Sequence, residues 1–191
     1  MNDFVISLPN GKVKFEKENL QWIDKETKTF DIPQESFLEN PDYESFLFDY
    51  KFVVNEQWKD QKGLENHRLL TVGEWDSIFS MRPQKYLHVN INKINGVILM
   101  PDDVDFPSKY KPYLSRAKAR DLDIEEWHIL EEMGSIFLPG ANFKDNIINP
   151  YALDSQNEGR QIGYWLAPLV APINANDNFF VRLVKDVEKK D

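Results

Sequence analysis

A group of carboxylates follows an apolar run that ends in proline. Asp102, Asp103 and Asp105 come directly after Pro101. Carboxylate and carbonyl oxygens on a loop are the ligands that calcium prefers, so these three residues are a candidate calcium site. The alternative, which the pattern favours, is a polar turn that closes the preceding strand. Glycoside hydrolysis needs two carboxylates, but among 32 acidic residues no pair stands out.

The residue types needed for other kinds of catalysis are missing or unsuitably spaced. The chain has no cysteine, which excludes disulfides, thiolate nucleophiles and cysteine-ligated zinc. Its three histidines, His67, His88 and His128, lack the His-x-x-x-His spacing of a metal-binding helix. There is no phosphate-binding loop, dinucleotide fingerprint or Gly-x-Ser-x-Gly motif. We therefore expect no catalytic residue, and no cofactor apart from the calcium candidate.

Aromatic and amide side chains near the end of the sequence are better suited to binding than to catalysis. The candidate ligand-binding residues are Tyr164, Trp165, Asn174, Asn176 and Asn178. Aromatic rings offer contact area and amides offer adaptable hydrogen bonds, a combination common in recognition surfaces. The alternatives are an ordinary polar turn for the asparagines and a buried position for Trp165.

Length and charge limit the class of protein and of partner. A chain of 191 residues is long enough for one domain, which we assign to residues 1–191 with a charged tail over 185–191. A net charge of -9 disfavours nucleic acid as a partner. The longest apolar run is too short to span a bilayer. Residues 1–4 do not resemble a signal peptide, so the protein stays inside, is exported by another route or has been trimmed.

Alternating and turn-forming residues predict several strands. Residues 4–15 alternate around Pro9-Asn10-Gly11 and predict a β-hairpin. A short strand is expected at residues 20–23, followed by a polar turn at 24–29. Phe46, Phe48 and Tyr50 are spaced to share one face of a strand, which the apolar residues 52–54 would extend.

One unit, a helix start followed by a strand that ends in proline, occurs twice. Residues 70–75 (Leu-Thr-Val-Gly-Glu-Trp) correspond to residues 122–127 (Leu-Asp-Ile-Glu-Glu-Trp). Each contains a capping box followed by an aromatic residue placed for a hydrophobic staple. The helices are expected to begin at residues 72 and 124 and to lead into the apolar runs 95–101 and 134–139. Two such helices on a twisted, mostly antiparallel sheet predict an α+β domain.

The order of these segments resembles a known family. The segments occur in the same order as in gut Bacteroidetes and Fibrobacter proteins. They are Gly11-Lys12-Val13-Lys14-Phe15, the two Glu-Trp helices, the runs ending at Pro101 and Pro139, and Gly163-Tyr164-Trp165. These proteins are like the Fibrobacter succinogenes major paralogous domain, which is related to the formylglycine-generating-enzyme branch of the C-type-lectin-like fold. The resemblance covers residues 11–184 and implies that fold. Formylglycine-generating enzymes use cysteines, so the composition excludes their activity.

These observations predict a non-catalytic module that binds a glycan or a protein. The resemblance implies that the Gly-Tyr-Trp strand leads to the ligand-facing surface, so the expected site is the loop 166–178 beside Tyr164 and Trp165. Two alternatives remain open: a carbohydrate-active hydrolase that uses a carboxylate pair, and a structural subunit of a phage tail or surface appendage. Relatives are mostly exported, but the sequence does not establish the location or the oligomeric state.

Overall fold

The computed structural model describes residues 3–113, 119–140, 152–153, 164–165 and 178–187. The strands in chain order are β1 (Phe4–Leu8), β2 (Gly11–Phe15), β3 (Gln21–Asp24), β4 (Thr29–Asp31), β5 (Leu47–Asp49), β6 (Tyr86–Ile91), β7 (Ile94–Leu99), β8 (Arg120–Leu122), β9 (Ile136–Pro139), β10 (Ala152–Leu153), β11 (Tyr164–Trp165), β12 (Asn178–Phe180) and β13 (Val184–Asp186). The α-helices are α1 (Tyr50–Val54), α2 (Val72–Ser80) and α3 (Ile124–Glu132), and 3-10 helices span Tyr43–Phe46, Gln57–Asp60 and Ser108–Tyr113.

The strands of the described ranges form four sheets, with the orders β1-β2-β13, β3-β4, β10-β11-β12-β5 and β8-β6-β7-β9. Neighbouring strands are antiparallel except for the pairs β11–β12 and β6–β8. The α+β class and the mostly antiparallel pairing are therefore confirmed. The strands belong to several small sheets, whereas a single sheet was expected.

The N-terminal hairpin has the predicted extent. β1 pairs with β2 from Phe4 opposite Phe15 to Leu8 opposite Gly11. Gly11 has a φ of +138°, a conformation that side chains disfavour, which explains why glycine follows Asn10 in the turn. β13 pairs antiparallel with the other edge of β2, so a late segment of the chain completes this sheet.

Both predicted capping boxes are present. In the first, the Thr71 hydroxyl accepts from the Glu74 amide at 3.1 Å, and the Glu74 carboxylate accepts from the Thr71 amide at 2.8 Å. In the second, Asp123 accepts from the Glu126 amide at 2.8 Å and Glu126 accepts from the Asp123 amide at 3.3 Å. Each box satisfies amide groups that the first turn of a helix leaves without partners.

The aromatic residue of each box is buried against a different sheet. Trp75 of α2 packs edge-on against Phe15 of β2, with ring centroids 6.4 Å apart. Trp127 of α3 contacts Phe137 of β9 at 5.8 Å. Only 1% of Trp75 and 3% of Trp127 is exposed. The predicted positions of both rings in the core are confirmed.

The strands that follow the two helices are neighbours in one sheet. β7 pairs antiparallel with β9, and Gly96 lies opposite Pro139. A Cβ atom at Gly96 would lie 2.4 Å from the Leu138 carbonyl oxygen and from the Phe137 ring, so this close approach requires glycine. The two repeated units differ in one respect that their sequences did not indicate: α2 is followed by an additional strand, β6, before β7.

The strand expected to continue through residues 52–54 ends early, and this part of the prediction is wrong. β5 stops at Asp49, whose carboxylate accepts a hydrogen bond from the Phe52 amide at 2.8 Å. A side-chain acceptor at this position caps a helix N-terminus. Phe52 and Val53 are therefore buried residues of the short helix α1.

The buried side chains form two clusters, and the smaller one supports the candidate site. The larger cluster lies among β1, β2, β6, β7, β9, α2 and α3. The smaller cluster is rich in aromatic residues and contains Phe48, Phe52, Trp58 and Phe179, with Trp22 packed at its border. No helix among the described residues is long and apolar enough to cross a membrane.

Candidate functional site

The structure brings part of the predicted ligand-binding set into one sheet. Tyr164 and Trp165 form β11, which runs parallel to β12, and Asn178 is the first residue of β12. The three residues therefore lie on adjacent strands. Asn174 and Asn176 are outside the described residues.

Asn178 lines an open cleft with a volume of about 300 Å³. The strand pairing places it opposite Asp49 of β5. The described residues that line the cleft are Trp22, Lys25, Lys28, Leu47, Asp49, Lys51, Phe52, Gln57 and Asn178. They come from three stretches of sequence, 22–28, 47–57 and the start of β12, which the fold assembles into one surface.

Trp22 is the aromatic residue of this cleft. Its half-buried indole stacks on Phe48, with ring centroids 4.7 Å apart and an interplanar angle of 23°. Edge contacts to Phe30 at 5.9 Å and Phe52 at 5.2 Å hold the ring from other sides. The indole Nε1 donates to the Leu47 carbonyl oxygen at 3.1 Å. The ring is thus fixed in orientation while part of it remains in contact with solvent.

The turn between β3 and β4 carries two lysines of the cleft. The Asp24 carboxylate accepts from the amides of Glu26 at 2.8 Å and Thr27 at 3.3 Å. The backbone hydrogen bonds from Thr27 and Glu26 lower the pKa of Asp24, so this carboxylate keeps its charge in mildly acidic solution. Lys28 has a φ of +55°, in the left-handed region. The turn therefore has a defined shape from which Lys25 and Lys28 extend.

The local charge of the cleft differs in sign from that of the whole chain. Three of its described lining residues are lysines, and one, Asp49, is acidic. The Asp49 carboxylate caps α1 through the Phe52 amide. The chain as a whole carries a net charge of -9. A local excess of positive charge in an acidic protein favours anionic groups at this position.

Two of the three carboxylates of the calcium candidate have other partners. Asp102 accepts from the Ser7 amide and from Arg82, both at 2.8 Å. Burial alone would raise the pKa of Asp102, but the hydrogen bond from Ser7 and the charge of Arg82 lower it overall. Asp105 pairs with Lys85 at 2.9 Å, and Asp103 is exposed. The hydrogen bond from Ser7 ties the segment after β7 to the N-terminal hairpin.

No three acidic or histidine side chains of the described residues gather closely enough to hold a metal ion. His67 is buried and bonds Glu16, with 2.7 Å between Nε2 and the carboxylate oxygen. His88 is also buried, and its ring contacts Tyr86. His128 is exposed on α3, as expected from its position after the staple tryptophan.

A second cleft, of about 220 Å³, is the place where several carboxylates meet. It bears on the hydrolase alternative because two carboxyl groups line such active sites. Each acidic residue here has a basic partner at 2.7 Å: Asp3 with Lys14, Glu131 with Lys17, and Glu16 with His67. The two lysine salt bridges and the hydrogen bond to His67 hold these carboxylates in structural contacts.

Large apolar side chains exposed in the described residues are spread over several elements. They are Ile23, Val54, Val72, Met81, Ile129 and Val187. They belong to β3, α1, the two ends of α2, α3 and the residue after β13. Single exposed apolar residues are ordinary on protein surfaces. Their distribution does not favour the structural-subunit alternative over binding.

The sequence offered only a weak signal for the residues that accompany Asn178. Trp22 stands in a predicted strand before a polar turn, and the lysines at 25 and 28 are common in such turns. Lys51 falls in the stretch for which the strand prediction was wrong, and Gln57 lies just after that stretch. A cleft assembled from three separated stretches has no local sequence motif. Its prediction would have required knowing that α1 packs beside β3.

Comparison of the chain with protein-family models, with curated proteins and with solved structures finds no match. Function is therefore inferred from the geometry of the cleft.

Proposed function

We propose that the chain is a non-catalytic module that binds a glycan in the cleft of Trp22 and Asn178. The observation that carries this proposal is a half-exposed, rigidly held indole beside two amide side chains, those of Gln57 and Asn178, in one open cleft. The apolar face of a sugar ring stacks on an indole, and its hydroxyl groups hydrogen-bond to amides. The chemistry of the lining therefore matches a saccharide.

The dimensions of the cleft favour a small or extended ligand over a protein. A volume of about 300 Å³ is at the lower end of the range for small-molecule sites, about 300 to 1,000 Å³. Protein interfaces are broader and flatter, with about 800 Å² buried on each partner. A sugar ring has the size and polarity that the cleft accepts.

Binding is favoured over hydrolysis by the acidic residues present. Among the described lining residues Asp49 is the one carboxylate, and it accepts the Phe52 amide at the start of α1. Glycosidases that follow the common mechanisms use two carboxyl groups across the scissile bond. The Trp22 cleft as described has the means to hold a sugar and lacks this pair.

The proposal includes a C-type-lectin-like scaffold. Its support is the resemblance over residues 11–184, together with the agreement of the α+β class and the mostly antiparallel strands. Tyr164 and Trp165 lie on the strand next to β12, one strand away from Asn178. We propose that Asn174 and Asn176 of the loop 166–178, which lie outside the described residues, also take part in ligand binding.

A glycan array probed with labelled protein tests this function. We expect retention on one class of saccharide, and loss of that signal in Asn178→Ala, whose folding is checked by its melting temperature. Ile23→Ala is the matched control, since Ile23 follows Trp22 on β3, is 67% exposed and does not line the cleft. An array without signal would contradict the proposal and direct attention to a protein partner.

A further inference from the structure

We propose that the glycan is acidic, and that Lys25, Lys28 and Lys51 hold its carboxylate or sulfate group beside the sugar ring on Trp22. This inference rests on the proposed function and specifies the class of ligand. The three lysines belong to two elements, the β3–β4 turn and helix α1, and all three are exposed and line the same cleft.

The three lysines of the cleft are among the described lysines that have no ionic partner within the described residues. Five described lysines pair with carboxylates: Lys14 with Asp3, Lys17 with Glu131, Lys59 with Glu56, Lys85 with Asp105, and Lys109 with Glu126. Within the described part of the chain, no carboxylate lies within ion-pair distance of Lys25, Lys28 or Lys51. As far as the described residues extend, the three ammonium groups at this cleft are therefore available to a ligand.

The carboxylates close to these lysines in the sequence are engaged in their own segments. Asp24 accepts from two amides inside the turn, and Asp49 caps α1. Glu26 is exposed in the same turn but does not line the cleft. The described lining of the cleft therefore carries three positive charges and one negative charge, although the chain as a whole has a net charge of -9.

The arrangement suits a single anionic group next to a sugar ring better than a long polyanion. Nucleic-acid binding requires many cations distributed along a surface, and the chain carries a net charge of -9. The three lysines, by contrast, line one small cleft together with Trp22. Acidic sugars combine an apolar ring face with one carboxylate or sulfate, which is the combination that Trp22 and the lysines would bind.

Matched pairs of saccharides test this inference by isothermal titration calorimetry. The pairs are 3′-sulfolactose with lactose, sialyllactose with lactose, and an oligogalacturonate with its methyl ester, measured at about 0.05 and 0.5 M NaCl. We expect the acidic member of at least one pair to bind about tenfold more tightly at low salt. The difference should shrink at high salt because the Debye length falls from about 14 Å to about 4 Å.

The triple variant Lys25→Gln, Lys28→Gln, Lys51→Gln is expected to remove this preference. Without the three charges the acidic ligand should bind about tenfold more weakly, close to the affinity of the neutral member, which should not change. Lys12→Gln, an exposed lysine on β2 in another sheet, is the control and should have no effect.

The possible failures of the two proposals are distinguishable. Equal binding of acidic and neutral members, or a triple variant with wild-type affinity, would overturn the acidic-ligand inference and leave glycan binding intact. Binding of neutral array glycans without any acidic one would do the same. The absence of binding to every glycan would overturn the proposed function and this inference together.

Discussion

Replacement of Arg182 by methionine tests whether one buried guanidinium holds the segment after β2 against the rest of the fold. Arg182 is 1% exposed. Its Nε donates to the Asn19 side chain at 2.6 Å, and its other nitrogens donate to the carbonyl oxygens of Glu16 at 2.9 Å and Phe137 at 2.8 Å. The contacts therefore join residues 16–19, β9 and the β12–β13 connection.

The expected loss follows from the acceptors that the substitution leaves without a donor. Each buried polar group that loses its hydrogen bond costs about 1 to 3 kcal/mol, and methionine refills most of the volume of the arginine stem. Burial raises the pKa of the neighbouring Glu18, an effect that the charge of Arg182 opposes. Removing Arg182 leaves this carboxylate without its counter-charge, so we expect a total loss of about 3 to 5 kcal/mol.

Urea denaturation followed by tryptophan fluorescence measures this loss. For a chain of this size, the loss corresponds to a melting temperature lower by about 6 to 20 °C. Lys12→Met, at an exposed position of β2, is the control and should change stability by less than about 0.5 kcal/mol. The double variant Arg182→Met, Glu18→Gln should recover part of the loss, because it removes the uncompensated buried charge.

A loss of stability below about 1 kcal/mol for Arg182→Met would refute this reasoning, because several buried acceptors that lose their donors should together cost more than this. An unchanged effect of Arg182→Met in the Glu18→Gln background would show that the two residues do not interact. In that case the burial of Glu18 would be compensated by the Phe37 amide, which lies 3.3 Å from its carboxylate.

Three further predictions concern the scaffold. Trp127→Ala should cost about 3 to 5 kcal/mol in urea denaturation because the ring is buried against Phe137. Gly96→Ala should prevent close pairing of β7 and β9, and reduced amide protection in hydrogen exchange at both strands would verify it. Burial would raise the pKa of Glu74, but hydrogen bonds from Arg68 and Thr71 lower it overall. The stabilisation that the Glu74 carboxylate gives the fold is therefore fully present above about pH 4.5 and is lost as the pH falls through the lower folded-state pKa. Glu74→Gln should consequently be less stable than the wild type at pH 7, and the two should become similar in acid.

The parts of the fold that sequence reasoning predicted are those that depend on neighbouring residues. The capping boxes at Thr71 and Asp123 involve side chains and amides three positions apart, so their pattern is visible in the sequence. The hairpin at Gly11 is equally local. The helix at Tyr50–Val54 was missed because the apolar residues there resemble a strand, and the cap at Asp49 reverses that preference.

The candidate site was harder to predict because long-range packing assembles it. Asn178 was identified from its polar loop, whereas Trp22 became a candidate only through its stacking on Phe48, 26 positions away. The three lysines have ordinary sequence surroundings, and their significance lies in their shared cleft and in the lack of ionic partners within the described residues. Such relations have no signature in a single sequence.

The central claim, that Trp22 is the platform for a glycan, is tested most directly by the affinity of Trp22→Ala for the saccharide that the array selects. An aromatic hot spot contributes about 2 kcal/mol or more, so calorimetry should show at least about a 30-fold higher Kd, while Ile23→Ala binds like the wild type. Circular dichroism of Trp22→Ala establishes whether the variant is folded, so that the loss is not attributed to unfolding. Wild-type affinity in folded Trp22→Ala would contradict the account and place the glycan elsewhere.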